Sequence, residues 1–140
     1  MILLILSGSC SLRGASRVFE VVVRSFHLTE RIPGWGACRL WLMRLGYYKL
    51  YRAKEKGSDG VWIVDHTQQL DQLKCLFIVG VRLRDLPAKG QPLRHSDLEP
   101  LELFPVVKST GEVVFDQLEQ VIQKTGVPRA IVSDHGSDLK

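Results

Sequence analysis

A chain of 140 residues that is 45% apolar with a net charge of +4 has room for one ordinary domain, or a small domain and part of another, and is too apolar to stay disordered. Cys10, Cys38 and Cys75 are odd in number and share no metal-ligand spacing, which excludes a disulfide framework and a zinc knuckle and points to a reducing, cytoplasmic setting. The charge is uneven: residues 1–60 carry ten Lys/Arg against four Asp/Glu (+6), and residues 61–140 carry nine against eleven (−2). A basic first part is suited to a polyanion, and an acidic second part can hold carboxylates for another purpose.

The opening MILLIL is short for a signal sequence and far below the roughly 20 residues that span a bilayer, so no membrane partner is expected. It reads as the end of a core helix that begins earlier. Residues 11–26 repeat Leu12, Ala15, Phe19, Val22 and Phe26 at helical steps, with Arg13 and Arg17 off that face. After a break at 29–33, residues 34–45 repeat the pattern with Cys38, Trp41, Leu42 and Leu45. Arg39 and Arg44 lie off this stripe, and Gly46 is a natural stop. Two short helices joined by a turn, the second carrying arginines, fit a helix-turn-helix. Tyr47, Tyr48, Lys49, Tyr51, Arg52 and Lys54 then interleave rings and cations, a composition that suits phosphate contacts with stacking, or an exposed linker. The residues expected to meet DNA are Arg13, Arg17, Arg39, Arg44, Lys49, Arg52 and Lys54.

Gly57-Ser58-Asp59-Gly60 marks a boundary, dividing a basic helical region, 1–56, from a second region, 57–140. There the period changes. Residues 61–64 read as a strand ending in Asp65, 70–72 as a hairpin turn and 74–83 as a buried strand. Residues 84–100, with three prolines and Gly90, read as an irregular connection, and 101–108 as a third strand that Pro105 confines to an edge. Ser109 and Glu112 match a capping box. A helix follows with Val114, Leu118, Val121 and Ile122 on one face and Gly126 closing it, and 128–133 is a fourth strand ending in Asp134. Three strands with short links favour antiparallel pairing. The helical crossover then lets the fourth strand lie parallel to the first, so that Asp65 and Asp134 leave one edge of the sheet together. Glu99, Glu102 and Asp97 read as solvated loop charges, His66 and His135 as residues aimed away from the acids, and Trp35, Trp41 and Trp62 as packing anchors.

This order resembles the RNase H-like core of DDE transposases and retroviral-type integrases. Ser133-Asp134-His135-Gly136-Ser137 is similar to that family's segment for the second catalytic acid, and Trp62-Ile63-Val64-Asp65-His66-Thr67 to the segment for the first. Residues 12–46 resemble the helical DNA-binding part of bacterial insertion-sequence transposases. The resemblance implies an α/β fold with three antiparallel strands, a helix and a fourth parallel strand. It also implies Asp65 and Asp134 as catalytic, metal-binding residues and two Mg²⁺ or Mn²⁺ ions that cut and join phosphodiesters at transposon ends. The family's third acid comes later than Asp134, and only Gly136 to Lys140 are left for it, Asp138 being too near. The expectation is therefore a truncated transposase with an incomplete two-ion site that binds DNA without cutting it, alone, as a homo-oligomer or with full-length transposase. The alternatives are a non-catalytic DNA-binding or transposase-interacting module, and an unstable pseudogene product.

Overall fold

The computed structural model of the chain describes residues 2–28, 31–70 and 73–133. The chain forms two compact units, Met1–Tyr48 and Lys49–Lys140.

In the first unit, α1 (Ile2–Leu6) precedes α2 (Leu12–Ser25), which the Ser11 hydroxyl caps by accepting from Gly14 N at 3.0 Å. The inward face of α2 runs through Leu12, Ala15, Phe19 and Val23, rather than through Val22 and Phe26, which are exposed. Both sets are helically spaced; three consecutive valines leave the pattern ambiguous by one residue, and packing selects Val23. Residues 26–34 lead to α3 (Trp35–Tyr51), a connection longer than the three- or four-residue turn of a helix-turn-helix. Gly46 does not end α3. Its φ is not positive, and as an ordinary helical residue it costs only about 1 kcal/mol relative to alanine, so the helix continues to Tyr51.

In the second unit, β1 (Gly60–Leu70), β2 (Leu73–Arg82), β3 (Glu99–Val106) and β4 (Ala130–Ser133) form one mixed sheet in the order β3-β2-β1-β4. The first three are antiparallel and β4 is parallel to β1. The α/β class and this strand arrangement agree with the sequence. Pro100 and Pro105 lie on β3, an edge of the sheet, where a missing N–H costs no ladder bond. The hairpin turn expected at 70–72 lies partly outside the described residues.

One helix, α4 (Gly111–Thr125), covers one sheet face. Val114 and Val121 meet Trp62, Val64, Leu76, Ile78 and Leu101, with Phe104, Leu118 and Ile122 around them. Its cap is Thr110, whose hydroxyl accepts from Val113 N at 3.4 Å, one residue later than the Ser109–Glu112 box predicts. Gly126 ends the helix at φ 86°, and a Cβ there would sit 2.5 Å from the Gly57 carbonyl oxygen.

A register shift opposite Ile78 and Val79 leaves Leu101 as an extra residue in β3, so Leu101 and Glu102 are both buried. Glu102 is therefore not a loop charge: it lies within β3 and pairs with Lys124 of α4. Glu99 likewise opens β3.

Gly126→Ala should lower stability by more than about 1 kcal/mol in a urea melt, since both φ and the Gly57 backbone oppose a side chain. Gly111→Ala, with nothing within 4 Å of its Cβ, should be neutral or stabilising by up to about 1 kcal/mol.

Candidate active site

Asp65 lies within β1 rather than at its end, because pairing with β2 continues past it through His66↔Leu76 and Thr67↔Cys75. Alternation along β1 buries Trp62 and Val64 against α4 and turns Asp65 to the opposite face, where it is exposed. Among the described residues it makes no hydrogen bond or ion pair. A solvent-facing carboxylate without a basic partner has donor oxygens available to a hard cation.

The parallel register runs Val61↔Ala130, Trp62↔Ile131, Ile63↔Val132 and Val64↔Ser133. Its last rung joins the residues that immediately precede Asp65 and Asp134 in sequence. Asp134 itself lies outside the described residues, as do His135 and Asp138. Among the described residues no group of three or more His, Cys, Asp or Glu gathers as a cation site.

His66 is half-buried on the α4 side of β1, and its Nε2 lies 3.0 Å from Ser109 Oγ. The serine expected to cap α4 instead ties the segment before that helix to the strand carrying Asp65. No local pattern could have revealed this contact, since its partners are 43 residues apart.

The proposed DNA-contacting cations fall into different settings. Arg13 and Arg17 are exposed one turn apart on α2, and the Arg13 guanidinium lies 5.4 Å from the centre of the Trp35 ring. Arg39 and Arg44 are exposed on α3, but five residues separate them, which at about 100° each sets them on different faces. Trp35 and Trp41 remain exposed, so only Trp62 is a buried anchor.

Lys54 is turned inward, with a side chain only 4% exposed. Its ammonium donates to Glu99 Oε1 at 3.2 Å, to the Pro100 carbonyl at 2.8 Å and to the Lys49 carbonyl. Arg52 Nη2 donates to the same Glu99 oxygen at 2.8 Å. Nearby, Arg82 holds Asp59 at 2.8 Å and the Glu55 carbonyl, and Arg84 holds Glu55 Oε2 at 2.7 Å. These pairs tie residues 52–59 to the sheet. The composition read as a DNA-contacting arm or linker is, from Arg52 onward, largely a clasp on β2 and β3. A cavity of about 240 Å³ opens beside it at the Gly60 end of β1 and does not include Asp65.

Burial pushes the Glu99 carboxyl upward, but hydrogen bonds from Arg52 and Lys54, reinforced by their charges, outweigh it and leave the group below its ordinary value. Compared with protein-family models, with curated proteins and with solved structures, the chain matches none.

A lowered folded-state value means that Glu99 contributes stability at pH values above the unfolded carboxylate range, and that this is lost as pH falls through the folded value. Glu99→Gln should therefore lower the melting temperature at neutral pH, and the difference from wild type should narrow as pH falls below the ordinary glutamate value of about 4.3 and close below the lowered folded-state value. Thermal melts across pH check this; a difference that persists in acid would assign the loss to packing.

Proposed function

We propose that the chain is part of a transposase of the DDE type, with a basic helical region that meets DNA and, in residues 57–140, an RNase H-like arrangement bearing Asp65 and Asp134. The observation that supports it best is the last rung of the parallel register, Val64↔Ser133. It couples the strands leading to both acids, in a sheet ordered β3-β2-β1-β4.

In this function Asp65 and Asp134 would hold divalent cations, Mg²⁺ or Mn²⁺, which when bound supply nucleophile activation and stabilisation of the leaving oxygen. Asp65 is well mounted for that role. Its strand is hydrogen-bonded on both sides up to Val64 and is backed by the α4 core, so its backbone is held while its carboxylate faces solvent. A position that reorganises little on binding is what phosphoryl-transfer chemistry requires of its acidic residues.

DNA approach rests on exposed cations. Arg13, Arg17, Arg39, Arg44 and Lys49 project from helices, and phosphate contacts of this kind give affinity without sequence choice. Arg52 and Lys54 contribute less, since Glu99 holds both. With two acids where the chemistry uses three, the 140-residue protein is expected to bind duplex DNA without cutting it.

Affinity for duplex DNA should fall roughly ten- to fortyfold over a fourfold rise in salt, as two or three neutralised phosphates would give, and added Mg²⁺ or Mn²⁺ should produce no strand breaks. Salt-independent affinity would remove the DNA-binding reading. Cleavage by the wild-type protein that Asp65→Asn abolishes would overturn the claim that two acids are too few.

A further inference from the structure

The helix α3 of the basic region has apolar residues on two sides. Cys38, Leu42 and Leu45 are turned inward. Leu40, Trp41, Tyr47 and Tyr48 occupy a separate arc centred on Arg44, since residues three, four and seven apart share a helical face. All five are exposed, Tyr47 by 67% and Tyr48 by 61%. A helix that is apolar all round ordinarily has both sides covered.

The charges on α3 restrict what can cover this side. From Trp35 to Tyr51 the helix contains no Asp or Glu. Two copies of the chain meeting through this face would bring Arg44 against Arg44 with no carboxylate on either helix to separate them. A polyanion meets no such repulsion. The rings decide which polyanion fits. In a duplex the bases stack on one another and offer only their edges, whereas exposed rings grouped around a cation, as Trp41, Tyr47 and Tyr48 are around Arg44, are the composition of single-strand-binding surfaces. From Trp41 to Tyr48 the helix rises about 10 Å, enough for two or three bases at ~3.4 Å.

We propose that the α3 face of Trp41, Arg44, Tyr47 and Tyr48 binds single-stranded DNA, the rings stacking on unpaired bases and Arg44 meeting the phosphates. This rests on the proposed DNA-binding function and gives it a substrate form: strand ends that are frayed or opened, held apart from the duplex that the other arginines grip.

The test measures fluorescence anisotropy of a labelled oligo(dT) of about twelve nucleotides and of a labelled hairpin duplex against the full 140-residue protein. Tyr48→Ala should weaken oligo(dT) binding about tenfold, Tyr48→Phe should restore it, and duplex affinity should change less than about twofold. Tyr48 is exposed, so circular dichroism should be unaltered in both variants. Oligo(dT) affinity unchanged by Tyr48→Ala, with duplex binding intact, would overturn this inference alone. Absence of binding to either DNA would overturn it together with the DNA-binding reading. A dimer in sedimentation that Tyr48→Ala dissolves, with oligo(dT) affinity unchanged, would assign the face to self-association instead.

Discussion

Parallel pairing of β4 on β1 is the constraint on which the second unit's candidate chemistry depends. Antiparallel hairpins alone would bring β1, β2 and β3 together and leave β1 without its parallel neighbour. The α4 crossover returns the chain in the same direction as β1, and that return needs α4 packed on the sheet through Val114 and Val121. Gly126 makes the turn between helix and strand possible at φ 86°, close against Gly57. The same contacts that stabilise the core therefore set the spacing between the strands leading to Asp65 and Asp134.

The polar clasp serves the same sheet at its Gly60 end. Glu99 holds Arg52 and Lys54, and Arg82 holds Asp59, so the segment entering β1 is fixed to β2 and β3. Lys54 can be buried only because three acceptors surround its ammonium. Cations that composition alone would assign to DNA thus fall into two settings. Those on α2 and α3 remain in solvent, and those next to the sheet are consumed by structure.

Much of this was legible in the sequence, and the misses have physical causes. Four strands and α4 follow from period and punctuation, and the edge position of β3 follows from Pro105. The continuous apolar run Val61 to Val64 stops at Asp65 and marks it as a strand end. The strand continues because its partner, β2, continues, which is a tertiary fact. Gly46 looked like a stop and is not one, since a glycine ends a helix only when its neighbours favour a positive φ. Glu102 looks solvated by its charge alone, yet regular alternation sets it beside Phe104 on the inner face, opposite Ile78, and the β-bulge next to it adds Leu101 to that face. The Lys54–Glu99 and His66–Ser109 contacts join residues more than 40 apart, and nothing local encodes them.

The claim at the centre is that Asp65 and Asp134 act on one cation site. Mn²⁺ titration followed by electron paramagnetic resonance, on the wild-type protein, Asp65→Asn, Asp134→Asn and the double variant, tests it most directly. A shared site predicts that each single substitution removes nearly as much binding as both together, a strongly non-additive cycle. Single substitutions that leave Mn²⁺ binding unchanged, or losses that simply add, would contradict it.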